Sequence, residues 1–387
     1  MSLPHLDVFQ IADTFLAHAI KTHGDEVGII AYYGSYALGN ASPTSDLDLI
    51  FIPDEGKAHS LFACFVLHGI SFDFFPISWQ RAERLANGVG SWAVGPSLIA
   101  QAKPLYVRSE RDRQRFEALQ ERIIELQSPA CKNEMVQRAL DHFPKAVFHL
   151  GNLRLATMSD DFNSIRKAAW QVIMAVVECL ALVNQHTFQR GWDSNFPEIL
   201  QLPIHPANLE DYITTLATAE DAEQITQAAE LFVKSTREIL CQVQKKLAVE
   251  QGVSALFTDY YPELHDKVNK IVSRAASGNP IGASWAATFI QDETTRFIAS
   301  AFGEANDENF NLYHEYAKSY QALQIPELIR FTGNSSGAEL AKQALQFDQA
   351  IQHWLQQAGV ALNQLNDLDS LTKLLEGRVP YAPPSLL

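Results

Sequence analysis

From Leu6 to Lys21 the apolar residues recur at helical spacing (Val8, Ile11, Ala12, Phe15, Ile20), and the polar run HGDE closes the segment as a turn. VGIIAYY (27–33) then reads as a strand, SYALG (35–39) as a short helix or turn, and LDLIFIP (47–53) as a second strand. ISFDFFPIS (70–78), closed by Pro76, predicts a third strand, and WQRAERLA (79–86) a helix. KPLYV (103–107) is the next strand-like piece, followed by a strongly charged helix from Arg111 to Leu126. Ser-Pro-Ala at 128–130 predicts a boundary.

Beyond that point the pattern changes. Residues 135–153, 165–183, 222–248 and 341–365 carry long helical periodicities, and strand signal almost vanishes. Punctuation falls at QRGWDSNFPEILQLPIHP (189–206), SGNPIG (277–282) and TGNSSG (332–337), and the proline-rich tail VPYAPPSLL (379–387) is expected to lie extended on the surface. The reading is an α/β domain with a mixed sheet over residues 1–128, followed by an all-α helical domain over 129–387.

Composition narrows the function classes. The 387 residues are 47% hydrophobic and 19% charged, as in a globular protein with a substantial core. The formal charge is −15, which argues against a phosphate-backbone binder, since that role needs Lys and Arg to displace counterions. Residues 1–128 carry 15 acids against 10 basic residues and the remainder 30 against 20, so the helical part offers no basic track. The four cysteines, Cys64, Cys131, Cys179 and Cys241, stand far apart with no C-x-x-C pair, which points to a reduced, cytoplasmic setting. The N-terminal stretch lacks the pattern of a signal peptide. The longest apolar segment, AAWQVIMAVVECLALV, contains Gln171 and Glu178 and is short for a bilayer, so a buried helix is expected and no membrane association.

One stretch, YYGSYALGNASPTSDLDLIFIP (32–53), carries the chemistry. On a strand, residues two apart share a face, so Asp46 and Asp48 point one way and Leu47, Leu49 and Phe51 the other. Two bare carboxylates that close repel unless a cation compensates. A hard divalent ion such as Mg²⁺ prefers carboxylate oxygens and completes its shell with substrate phosphates. Gly34 allows a phosphate close to the backbone, and the Ser35 hydroxyl adds a donor. Asp73 interrupts an otherwise apolar strand and fits as a third acid. Three acids suit two ions roughly 3.5–4 Å apart, the clamp of in-line phosphoryl or nucleotidyl displacement with a nucleoside triphosphate as co-substrate.

Gly34-Ser35, then Asp46-x-Asp48 followed by LIFI, with Asp73 on a later strand, resembles the DNA polymerase β-type nucleotidyltransferase superfamily over about residues 25–110. The short catalytic domain followed by helices is similar to antibiotic (aminoglycoside and lincosamide) nucleotidyltransferases. The resemblance implies metal-binding and catalytic acids at Asp46, Asp48 and Asp73, and nucleotide contacts at Gly34 and Ser35. It implies transfer of a nucleoside monophosphate, AMP from ATP, to a hydroxyl of a small molecule, with release of pyrophosphate. A protein target is the alternative acceptor, and a degenerate nucleotide-binding module the alternative role. Many members carry a basic residue after Gly-Ser, whereas YALGN is uncharged here, leaving Lys57 or a cation from the helical part for the triphosphate.

The resemblance to antibiotic nucleotidyltransferases also implies a carboxylate of the helical part as general base, for which Glu178 is a candidate, with Asp141, Asp160, Asp161 and Asp73 as rivals. His142 and His149, seven apart on one helical face, read as ordinary histidines rather than ligands of one ion. Trp170 and Trp192 can stack on a base or sugar ring, though aromatics at such positions are more often packing.

Overall fold

A computed structural model describes residues 7–42, 45–331 and 337–376. The punctuation at 332–336 and the proline-rich tail therefore lie outside the described residues. By internal contacts the chain falls into two compact units, Met1–Val243 and Gln244–Leu387.

The first unit opens with α1 (Val8–His23), whose N-cap Asp7 accepts from the Phe9 amide at 3.0 Å. A five-stranded sheet follows, built from β1 (Val27–Tyr33), β2 (Asp48–Pro53), β3 (Ala63–Leu67), β4 (Ile70–Pro76) and β5 (Lys103–Val107). The spatial order is β3-β4-β2-β1-β5, and only the β2–β4 pair is parallel. Alternation sorts the side chains. Leu49, Phe51, Phe72 and Phe74 face α1 and form one core with Val8, Ala12 and Ile30. Ala31, Ile50 and Ile52 are buried on the opposite face, where α5 (Glu110–Leu126) packs against β1.

The expected strands and helices form close to their predicted limits, and the mixed sheet followed by helices matches the predicted fold class. One strand escaped the sequence reading. β3 joins β4 through His68 and Gly69, both with positive φ (51° and 80°), between the paired residues Leu67 and Ile70. That is the geometry of a two-residue hairpin turn, hidden because His-Gly is not a familiar turn pair.

Three further helices belong to the site region: α2 (Gly34–Leu38), α3 (Trp79–Ala86) and α4 (Ser97–Ala100), all preceding α5. Beyond α5 come α6 (Lys132–Met158) and α7 (Phe162–Asn184), which pack along one another. Among the described residues α7 is the helix with the length and hydropathy of a membrane span, but 67% of that span is buried inside the fold. Its 23 residues exceed the apolar stretch itself because Asp161 caps the helix from a polar first turn, accepting from Asn163 N and Ser164 N.

The second unit is helical. Residues 261–276, 280–301 and 337–357 surround a core that includes Leu264, Val268, Ile290, Phe347 and Ile351. Buried Asp348 accepts from Tyr261 Oη and Gln352 Nε2 and pairs with His265 Nδ1, all near 3 Å. The predicted helix of residues 341–365 ends at Gln357. Gly359, at φ 73°, turns the chain left-handed, and Val360 N bonds back to Leu355 O at 2.9 Å.

The strand ends remote from Asp48 are clamped by Arg108. Its guanidinium donates to both Asp54 oxygens at 2.7 and 3.0 Å, to Asp112 Oδ2 at 3.0 Å and to the Asp25 carbonyl at 2.8 Å. Asp112 is itself buried beneath Gly28, where an added Cβ would meet Asp112 Oδ1 at 3.1 Å. Removing the guanidinium strands a buried carboxylate. Arg108→Ala is therefore expected to cost about 2–3 kcal/mol in urea unfolding of the intact chain. A loss below about 0.5 kcal/mol, the range of an ordinary surface pair, would contradict this account of the clamp.

Candidate active site

The site is built where β1 ends and β2 begins. Antiparallel pairing sets Tyr33 directly opposite Asp48, and the chain then turns through Gly34 at φ 70°. An added Cβ on Gly34 would lie 2.5 Å from Asp48 Oδ2. Gly34 is thus required twice over, by a left-handed backbone and by the carboxylate pressed against it.

After Gly34 the chain forms α2, which Gly39 closes in the left-handed conformation, its amide directed at Ser35 O and Tyr36 O. Ser35 is half-buried, and Asn40 N also bonds its carbonyl at 3.0 Å. The Ser35 hydroxyl makes no hydrogen bond among the described residues and remains available.

Leu49 enters the α1-side core, so Asp48 turns to the opposite face, and Asp46, just ahead of β2, lies close enough for its charge to act on Asp48. Phe72 and Phe74 enter that same core, which sends Asp73 to the face of Asp48. The parallel register aligns Leu49 with Phe74, so Asp73 stands beside the start of β2. The electrostatics agree with this placement. Burial, then the charges of Asp46 and Asp73, push the Asp48 carboxyl up to about 7. Tyr33 is raised as well, by burial and then by Asp48, Asp73 and Asp46. Tyr33 is the site residue that sequence reasoning missed. Its signal was its position immediately before Gly34, on a strand that had to pair with the aspartates.

Among the described residues no Lys, Arg or His pairs with these three acids. Nor do three His, Cys, Asp or Glu side chains already stand in a metal-holding arrangement. The acids sense one another's charge without being drawn to a common centre. Crowded oxygen donors, one with its ionisation suppressed for want of a counter-charge, suit a hard divalent cation.

The other candidates separate cleanly. Lys57 pairs with Glu26 at 3.7 Å, beside the paired ends Val27 and Pro53 at the opposite end of β1 and β2 from Asp48, and does not serve the Gly34 turn. Asp160 adopts φ 51° in the turn between α6 and α7, and Asp161 is the cap of α7, so both have local backbone roles. Asp141 is exposed and accepts from Gln137 Nε2 at 3.0 Å. Glu178 is buried on α7 and accepts from Ser91 Oγ at 2.6 Å, Trp92 N at 2.5 Å and Ala93 N at 3.2 Å. Those bonds tie the segment between α3 and α4 to the helices. They give Glu178 a structural role.

Residues 113–245 match the family model described as KNTase C-terminal domain, which spans most of α5, all of α6 and α7, and the helices that complete the first unit. Among solved structures, a nucleotidyltransferase-like protein from Exiguobacterium sibiricum is similar at 9% identity with a TM-score of 0.37, covering 62% of this chain and 79% of its own. That likeness is too slight to bear on the site. No curated protein matches the chain by sequence.

The raised Asp48 carboxyl has a measurable consequence in the metal-free protein. Below about pH 4 it is protonated in folded and unfolded chains alike, so it costs nothing. Between pH 4 and its folded value of about 7, the unfolded chain ionises first, and stability falls as pH rises. Asp48→Asn removes that penalty. In EDTA the variant should melt with wild type at pH 4 and above it at pH 8, by roughly 2–4 °C per kcal/mol recovered. Equal melting temperatures at pH 8 would contradict the crowding.

Proposed function

We propose that this protein is a divalent-metal-dependent nucleotidyltransferase that moves AMP from ATP to a hydroxyl group, with pyrophosphate as the leaving group. The observation that supports the reading is that Asp46 and Asp73 lie close enough for their charges to act on Asp48, beside the Gly34 turn. The KNTase C-terminal match supports it independently, since it falls on a different part of the chain.

In balanced terms, an acceptor oxygen attacks the α-phosphorus, a new P–O bond forms, and the bond to the bridging α–β oxygen breaks. Pyrophosphate takes up that electron pair, and the acceptor proton leaves to a base. Asp46, Asp48 and Asp73 would hold divalent ions, two by donor count. Ions held there would supply charge neutralisation for the triphosphate and a lowered pKa for the attacking hydroxyl. Gly34 keeps the turn free of side-chain atoms, and the unengaged Ser35 hydroxyl donates to a phosphate oxygen. Asp73, the most exposed of the three, would act either as ligand or as proton acceptor. In this reading the sheet domain is catalytic and the helices from residue 129 onward carry the acceptor side.

Incubation with α-labelled ATP, Mg²⁺ and a panel of hydroxyl acceptors tests the proposal. Label should pass to an acceptor with one pyrophosphate released per transfer, and EDTA should abolish it. Asp48→Asn should lower the rate by at least about 10²-fold. Label found on a polypeptide in lysate would identify a protein as the acceptor. ATP binding that needs no divalent ion, and that survives both Asp46→Asn and Asp48→Asn, would refute the metal-dependent reading.

A further inference from the structure

Facing stripes of α6 and α7 line an open groove of about 270 Å³, edged by Ser91 and by Trp192. From α6 come His142, Lys145 and His149, spaced three and four apart and therefore on one face. From α7 come Trp170 and, two turns on, Glu178. The indole of Trp170 is 54% exposed, unusual for a tryptophan on a helix that is otherwise largely core. Trp192 packs edge-on to Phe188 with ring centroids 6.4 Å apart, which holds it at the rim.

The charges of this groove are uneven. Glu178 supplies its one carboxylate, and both oxygens already accept from Ser91, Trp92 and Ala93. Lys145 is exposed and makes no ion pair or hydrogen bond among the described residues. Burial, with the charge of Lys145, lowers His142 to about 4 and lowers His149 too, so both imidazoles are neutral at physiological pH. The Nδ1 atom of His149 is buried without a hydrogen-bond partner. The groove therefore offers an aromatic wall, neutral imidazole nitrogens and one exposed ammonium, whose charge is felt by the buried Glu178 carboxylate but which makes no direct ion pair among the described residues.

We infer that this groove binds a ring-bearing molecule that is neutral or anionic, and that such a molecule, rather than a polycation, is the acceptor of the transfer. The assignment as acceptor rests on the function proposed above; the chemistry of the groove does not. The indole faces suit a flat or sugar ring. The ammonium attracts a carboxylate or phosphate. A polycationic drug would set ammonium groups beside Lys145 and find no free carboxylate to receive them.

Tryptophan fluorescence of the full chain tests this without turnover, using 4-hydroxyphenyllactate as the ring-bearing hydroxy acid and kanamycin as the polycation. The hydroxy acid should give a saturable change that is lost in Trp170→Leu and weakened at least tenfold in Lys145→Glu. Kanamycin should give none. Both variants lie at exposed helix positions, and circular dichroism checks that they fold. Saturation by kanamycin but not by the hydroxy acid would overturn the inference, as would an unaltered response in both variants. Competition by the non-hydrolysable analogue AMPCPP would give the groove to the nucleotide and overturn the acceptor assignment. Saturable binding of the hydroxy acid with no label transfer to any acceptor would sink the proposed reaction and leave the groove chemistry standing.

Discussion

Three carboxylates at one end of a sheet, with no cation paired to them among the described residues, form the constraint on which the site depends. Folding gains nothing from this arrangement. Ionising Asp48 among Asp46 and Asp73 is opposed by burial and by like charge, and Gly34 must give up any side chain so that the carboxylate fits. A chain selected for stability alone would place apolar or paired residues there. The rest of the first unit bears that cost. Residues of β1, β2 and β4 fill the α1-side core, and Arg108 locks the remote ends of the strands against Asp54 and Asp112. A frame fixed at one end can hold strained chemistry at the other.

The helices take part through a buried acid rather than through a cluster of free ones. Glu178 interrupts an apolar helix, and its carboxylate receives three donors from residues 91–93. Burial raises its pKa, while Ser91, Trp92 and Ala93 oppose that rise by hydrogen bonding to the charged form. The result is a pin between the segment leading to β5 and α7. Around it, Lys145 and Trp170 remain exposed to solvent, and that contrast is what separates structural from ligand-directed groups in this region.

Much of this was legible in the sequence because the relevant periods are strict. Two-residue alternation at Leu47–Asp48–Leu49 and at Phe72–Asp73–Phe74 requires both acids to leave the core on the same face once the strands are neighbours. What sequence could not supply was partnership. Lys57 looked free until the fold set it beside Glu26, and Glu178 looked available until residues 91–93 closed over it. Asp160 and Asp161 looked like rival bases, yet one occupies a left-handed turn and the other caps a helix. Tyr33 drew no notice because its role comes from pairing with Asp48, a long-range contact that no local pattern encodes. β3 was missed for the converse reason: its turn is local, but His68 is an uncommon occupant of a left-handed position.

The central claim, that Asp46, Asp48 and Asp73 form one divalent-cation site, is tested most directly by Mn²⁺ binding followed by electron paramagnetic resonance in the presence of AMPCPP. The account predicts saturable uptake of two ions by the wild-type chain, accompanied by proton release near pH 7 as Asp48 ionises, and loss of at least one ion in Asp73→Asn. Uptake that is unchanged in Asp73→Asn, or no uptake at all, would contradict it.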